Sequence, residues 1–480
     1  MAWDTTTSHL LSIIHTPYAP HNIRVQAATV LDDILVIVPR NLSTTGELQA
    51  EIQKRVFDVL AQQVVPDPST TAINTGTSIE LRRMGLETLH QILQASGHTL
   101  LVGWETVFRM LESVCRPSPP LRSSSIDSLS FSSSLPPPPP LRPRSLALGS
   151  GTPSEKTYAP LVKIAFQSLT LVCDSVSSLS PAHLRLCIST LGQFGRQADT
   201  NIALTAAASL LWSVSDAIQS KRRNADEEPD YSGLWMFLLL EVLGLCTDSR
   251  QQVRDGAIQT LFRTMQLYGS TLSLETWDQC IWKVTFPLLE SLTSEIRGLA
   301  ATLATTSDTS EADSGAQAQA QSWDDSKILA LQSVGSIFHE FLAPKIMQLD
   351  SFSKAWDVLV THIQDTVLLD NRAVTAPALR CLEKAVKVSP SLDLPPIVSE
   401  VLLRVWQAID VLGGAVLQRR GSSSPMTEGI HQPFTQESLV AFVDVIQCTR
   451  QASRAIDDYE WTLERLTRLM AILRGETHLH

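Results

Sequence analysis

No two cysteines in this chain of 480 residues lie closer than fourteen positions to each other. Cys115, Cys173, Cys187, Cys246, Cys280, Cys381 and Cys448 therefore contain no CxxC pair, which excludes zinc-ribbon and thioredoxin-like chemistry. Set singly in apolar segments, they read as reduced cysteines packing as small hydrophobes. Glycine (21 residues) and aromatics (6%) are too sparse for an all-β chain, which needs a turn every few residues. Basic charge is also short: 38 Lys and Arg face 49 Asp and Glu, a net charge of −11. That balance disfavours counterion-driven nucleic-acid binding and a polybasic membrane anchor. The longest apolar run, Leu234 to Cys246, has thirteen residues, contains Glu241 and is too short to span a bilayer. Met1 to His9 lacks the basic and apolar parts of a signal peptide. These absences predict a soluble cytoplasmic chain whose contact with membranes is peripheral and indirect.

What is present is an apolar content of 44%, enough for a large core, arranged with helical spacing. Val253, Ala257, Ile258, Leu261, Phe262, Met265 and Tyr268 recur at three-and-four spacing and predict a helix over 250–268. Ser249 with Gln252 reads as its capping box, and Gly269 as a left-handed terminator. Ser180 before Pro181, and Ser273 between Leu272 and Trp277, read as further helix starts.

The helices repeat. Val253-Arg254-Asp255-Gly256-Ala257-Ile258 aligns with Leu81-Arg82-Arg83-Met84-Gly85-Leu86 and with Ile23-Arg24-Val25-Gln26-Ala27-Ala28, and in this register Gly269 falls opposite Gly97 and Pro39 as a common stop. Weaker copies centre on Ala165, Ala206, Ala330 and Ala378, with several spacings of about 40 to 50 residues. A small residue early in the second helix of a pair lets two backbones approach closely. The fold class this predicts is all-α, a HEAT/armadillo-like α-solenoid with disordered insertions. Arg24, Arg82 and Arg254 are expected to extend along the stack and pair with acids of adjacent repeats.

Two stretches break the pattern. Residues 116 to 155 hold 10 prolines and 12 serines, and 304 to 322 contain no Leu, Ile, Val or Phe. The expected organisation is helical repeats over 1–115, a Ser/Pro-rich disordered linker over 116–159, and helical repeats over 160–303. A low-complexity linker follows over 304–325, then C-terminal helical repeats over 326–480 with a loop at 418–433.

Several segments resemble a known module in order along the chain. They are Leu234 to Leu240, Thr247 to Arg254, Leu261-Phe262, Tyr268-Gly269, and Trp277 to Leu289. Together they are similar to the helical region downstream of the Sec-seven domain in large Arf guanine-nucleotide exchange factors. Arg24 to Arg40, Gly103 to Phe108 and Trp323 to Leu331 are similar to the Mon-two family in particular, and to its C-terminal part. The resemblance implies a non-enzymatic, peripheral scaffold of Golgi and endosome membranes, acting in endosome-to-Golgi and vacuolar protein trafficking. It further implies a Dopey-like partner, a phospholipid flippase complex and an Arf-like GTPase. A HEAT-repeat transport receptor of the karyopherin kind is the alternative that composition and repeats leave open.

Catalytic signals are absent. GxSxG and HExxH do not occur, the histidines form no ligand pair with a third group nearby, and no cofactor or metal is expected. The doublets Asp32-Asp33, Asp324-Asp325 and Asp457-Asp458 read as helix caps and solvated faces rather than as acid/base pairs. The candidate docking residues are instead Leu135, the prolines from Pro136 to Pro140, Pro143 and Arg144, a preformed polyproline segment suited to an aromatic-lined groove. Inert linker is the competing reading. Trp461 is the last candidate, in a terminal repeat with one face that no neighbour covers.

Overall fold

The computed structural model describes residues 2–41, 46–66, 76–115, 153–222, 228–305, 312–369, 371–387, 399–421, 435–453 and 463–477. Among these residues every regular element is helical. The chain divides into two compact units, Met1–Ala203 and Leu204–His480.

The first unit contains α1 (Ala2–His15), α2 (His21–Asn41), α3 (Gly46–Val64), α4 (Gly76–Ser96), α5 (Trp104–Glu112), α6 (Pro153–Asp174) and α7 (Pro181–Gly195). α8 (Thr200–Leu204) has all but its last residue in this unit. Each helix meets its successor as a pair, α1 with α2, α3 with α4 and α5 with α6. Each also meets the helix two places on: α2, α4 and α6 form one row, while α1, α3, α5 and α7 form the other. Such two-row stacking of antiparallel pairs is the solenoid arrangement the repeat register predicts.

The second unit repeats the scheme. It contains α9 (Leu211–Arg222), α10 (Glu228–Leu243), α11 (Gln251–Tyr268), α12 (Leu274–Gln279), α13 (Phe286–Thr305) and α14 (Ala312–Phe341). α15 (Phe352–Leu368), α16 (Arg372–Val386), α17 (Ser399–Gly421), α18 (Gln436–Ser453) and α19 (Leu463–Thr477) complete it. One row runs through α9, α11, α14, α16 and α18, the other through α13, α15, α17 and α19. Side chains tie successive repeats at about one period. Asn371 donates to Asp324 across 47 residues, Lys384 to Ser336 across 48, and Arg404 to Asp357 across 47. Between α11 and α14 the same kind of tie spans 72 residues, Arg254 to Ser326. The insertion there lengthens the α13–α14 hairpin while leaving the stacking of α11 on α14 intact.

Several local expectations hold. Ser180 accepts from the His183 amide with Pro181 in the first turn of α7, and Ser273 accepts from the Thr276 amide at the start of α12. Leu234, Trp235, Met236, Leu238 and Leu239 are buried as inter-repeat core. Others are corrected. Ser249 does not cap α11; Asp248 accepts from the Arg250 amide instead, in the turn that precedes the helix. Gly269 is right-handed (φ −58°) and continues into a 3₁₀ turn. It is small because an added Cβ would lie 2.7 Å from Trp277 Cζ2 and 2.9 Å from Phe341 Cζ. Trp277 Nε1 donates to the Gly269 carbonyl at 2.8 Å, which holds the indole against that bare backbone. The one left-handed glycine among the described residues is Gly103 (φ 93°), which starts α5 where a side chain would also strike Phe57. Pro39 stops nothing, since α2 runs on to Asn41.

The repeat arginines do not seek acids of the next repeat. Arg24 Nε donates to the Ile14 carbonyl in the last turn of α1, and Arg82 Nε to the Val64 carbonyl at the end of α3, both at 2.8 Å. Arg254 Nη1 donates to the Asp248 carbonyl, five residues beyond α10. At Ile14 and Val64 a cation fits because the last helical carbonyls lack backbone donors and carry the negative end of the helix dipole. Arg254 is fully buried and also donates to Ser322 O, Ser322 Oγ and Ser326 Oγ, while its guanidinium lies 3.9 Å from the Trp323 ring centroid. In the next repeat the same register position is Lys327, whose Nζ donates to Leu289 O and Thr293 Oγ1.

The linker boundaries shift as well. α6 begins at Pro153, so 153–159 is helix. α14 begins at Ala312, so the second part of the 304–325 stretch is helix built on Ala and Gln, which lose little entropy on becoming helical. α17 continues to Gly421, into the expected loop at 418–433. The run Thr200–Lys221 is long enough to cross a bilayer, with a mean hydropathy of 1.3, but 56% of that window is buried inside the protein, as in a core helix.

Candidate functional site

The sequence-predicted docking residues Leu135, Pro136, Pro140, Pro143, Arg144 and Trp461 all lie outside the described residues. So does Asp457-Asp458. The other two acidic doublets are neither helix caps nor paired acids. Asp32 is turned toward Thr88 and Gln63 and its carboxyl is pushed up to about 7 by burial, while its neighbour Asp33 is exposed. Asp324 accepts from Asn371, the capping residue of α16, and Asp325 accepts from Gln251 and Gln321. Asp324 and Asp325 thus join α14 to α16 and α11, while Asp32 keeps one buried oxygen without a hydrogen-bond partner. Among the described residues no group of three or more His, Cys, Asp or Glu side chains could hold a metal ion.

What the structure does assemble is a surface on the α13–α15–α17 row. Trp282, half-buried, donates from Nε1 to Ser351 Oγ at 3.0 Å, and Lys354 Nζ lies 5.1 Å from its ring centroid. Phe286 stacks on His362, whose pKa is lowered by burial and by the nearby Lys327. One helix further on, α15 and α17 enclose a groove of about 250 Å³. Its apolar floor is Phe352, Trp356 and Val401, with Trp356 Nε1 donating to the Val401 carbonyl at 3.2 Å. Leu403, 46% exposed, stands at its side. Asp357, Glu400 and Arg404 form the rim. Arg404 pairs with Asp357 and donates to Thr361 Oγ1, and Ser353 donates to Glu400, so the polar groups are held in place before anything binds.

An apolar floor with a few fixed polar groups suits an inserted side chain from a partner protein. Phe352 and Trp356 are four residues apart, one turn of α15, and Val401 and Arg404 three apart on α17. That pairing of aromatic and charged residues was readable in the sequence. Their adjacency across two helices was not, because it depends on the stacking step.

Residues 223–440 match the family model described as the C-terminal region of Mon2 protein, a span that includes the whole groove. The MON2 homolog of Drosophila melanogaster is 26% identical over 411 residues, covering 80% of this chain and 21% of that protein. The human MON2 homolog is 30% identical over 284 residues, 50% of this chain and 16% of its own length. The ARF guanine-nucleotide exchange factor GNOM of Arabidopsis thaliana is 25% identical over 211 residues, 42% of this chain and 13% of GNOM. The chain thus spans about a fifth of the length of the first of these relatives. Among solved structures, it is similar to a circular tandem repeat protein at a TM-score of 0.33 and 9% identity, covering 94% of this chain and 96% of the other.

Proposed function

Because this chain belongs to the Mon2 family, whose C-terminal region it carries, we propose that it is a non-enzymatic helical scaffold in endosome-to-Golgi and vacuolar protein trafficking. It acts by binding other proteins along its helical rows, on the cytoplasmic surface of Golgi and endosomal membranes, where it is held peripherally. The observation that carries this reading is the match over 223–440, laid on a stack of helices whose groove between α15 and α17 is preorganised for contact. Similarity to GNOM, named as an ARF exchange factor, supports an Arf-like GTPase among the partners. A Dopey-like protein and a phospholipid flippase complex are the other two. The ordered likeness to this family weighs against a nuclear transport receptor of the karyopherin kind.

Affinity purification of the chain from native membranes tests the proposal. Golgi or endosomal trafficking proteins, a Dopey-like protein among them, are the expected recovery, and Leu403→Asp with Arg404→Glu is expected to reduce it. Recovery of nuclear-pore and nuclear cargo proteins instead, with staining at the nuclear rim, would overturn it. Purified chain is expected to give no nucleotide exchange on an Arf protein above the uncatalysed rate.

A further inference from the structure

On the reading that the groove between α15 and α17 receives a side chain of a partner protein, its own atoms select which side chain enters. A volume of about 250 Å³ is below that of pockets for cofactors and other drug-sized ligands, and suits one long side chain. The rim carries one cation, Arg404, and it is already engaged: Nε pairs with Asp357 and Nη2 donates to Thr361 Oγ1 at 2.9 Å. Glu400 is different. It stands exposed in the first turn of α17, where the helix dipole favours a negative charge, and it accepts from Ser353 Oγ. Among the described residues no cation pairs with it. The unbalanced charge of the rim is therefore negative.

Beneath that charge the floor is aromatic. Phe352 and Trp356 lie with ring centroids 6.4 Å apart, inclined at 32°. The Trp356 indole N–H is taken by the Val401 carbonyl, so the ring offers its carbon surface rather than a donor. Ser353, the residue after Phe352, holds the Glu400 carboxylate at the same edge of the floor. Aromatic surface next to a carboxylate suits a guanidinium, whose plane lies on a ring while its fork of N–H groups meets the two oxygens.

We propose that the guest is an arginine of a partner protein, laid along Phe352 and Trp356 and donating to Glu400. Leu403, 46% exposed beside the groove, then packs against an apolar neighbour of that arginine. The competing guests fit less well. An acidic side chain meets Glu400 and finds Arg404 engaged. An aliphatic one strips water from Glu400 without replacing it. Lysine brings the charge, but its ammonium has no plane to lay on a ring and no fork for the carboxylate.

A library of random linear peptides displayed on phage, selected on the whole chain, tests the guest. Counter-selection on Leu403→Asp leaves the groove-dependent peptides, which are expected to carry an arginine beside an apolar residue. For one of them as a free peptide, Glu400→Gln is expected to weaken binding about tenfold, the loss typical of one charged hydrogen-bonded contact. Replacing the arginine by citrulline, its uncharged isostere, is expected to weaken it equally. On Glu400→Gln the same replacement is expected to lose nothing further, a coupling that a merely structural effect of the substitution would not produce. Leu403 and Glu400 are both exposed, and unchanged helical circular dichroism checks that the variants fold. Groove-dependent peptides without arginine, or an affinity indifferent to Glu400→Gln, would overturn the arginine while leaving the groove as a contact site. Failure to recover any peptide sensitive to Leu403→Asp would overturn both.

Discussion

Replacing Arg254 with methionine isolates the worth of a buried cation that ties the turn before α11 to α14. The guanidinium is fully buried and makes four short contacts, to the carbonyls of Asp248 and Ser322 at 2.8 Å, to Ser326 Oγ at 2.8 Å and to Ser322 Oγ at 2.7 Å. Hydrogen bonds to a charged group contribute about 1.5 to 3 kcal/mol each. Their gross sum is partly offset because removing the cation also removes its desolvation cost, which is several kcal/mol for a buried ion. Burial shows in the guanidinium itself, whose pKa is lowered first by desolvation, with Asp255 and Asp248 opposing. Methionine keeps the aliphatic stem against Trp323 but takes from the Asp248 carbonyl its short charged donor and from Ser322 and Ser326 three more, the Ser322 carbonyl keeping only Ser326 Oγ. The expected net loss is about 3 to 5 kcal/mol, the range for breaking a buried charged network from one side. Arg254→Lys keeps the charge with three donors in place of five, and is expected to lose about 2 kcal/mol. Because the chain holds two units, a single unfolding midpoint is a poor readout. Hydrogen exchange of α10, α11 and α14 measures the loss where it occurs. A change below about 1 kcal/mol in all three helices for Arg254→Met would refute the assignment of this arginine as the tie between them.

Gly269→Ala is expected to cost about 1 to 3 kcal/mol by overpacking against Trp277 and Phe341, read as a lowered denaturant midpoint of the second unit; since φ is ordinary there, any smaller loss would mean the two rings can retreat. The Asp32 carboxyl is raised from 3.8 to about 7, chiefly by burial. The folded chain therefore binds this proton more tightly than the unfolded one, and the first unit is expected to lose stability as pH climbs from about 4 to about 7. Asp32→Asn should flatten that slope in a pH series of denaturation curves. Cys280 and Cys381 are buried thiols pushed up to about 12, so native protein at pH 8 is expected to leave both unalkylated by iodoacetamide over times that label them fully after denaturation, as peptide mass spectrometry would show.

The helical period was legible because the buried stripe of each helix is written in its own residues. The register through Ala27, Gly85 and Ala257 followed from the same pattern, since only a small side chain tolerates that crossing. What sits opposite a residue was less legible. Arg24, Arg82 and Arg254 were expected to meet acids, and they meet carbonyls, which every residue carries and no sequence pattern displays. Gly269 looked like a left-handed stop because that is the commoner use of glycine after a helix. Its real constraint is a ring from α12 and another from α14. Ala312 to Ser322 lacked large apolar residues and so looked like linker, yet a helix anchored by Trp323 and Ala330 just beyond extends back through alanine and glutamine at little cost. The groove between α15 and α17 needed the stacking step itself, which brings Trp356 to Val401.

The ties at 47, 48 and 72 residues join only neighbouring repeats. Mechanical strain applied at one repeat of the second unit therefore passes to the next through the packed face and the side-chain ties that the two share, and reaches more distant repeats only step by step, as in a chain of coupled springs. Lengthening a hairpin, as between α13 and α14, adds sequence without adding a link to that chain. Evolution and protein engineering alike can vary the hairpin tips, by insertion of a binding segment or a reporter, while the compliance of the array stays as the ties set it.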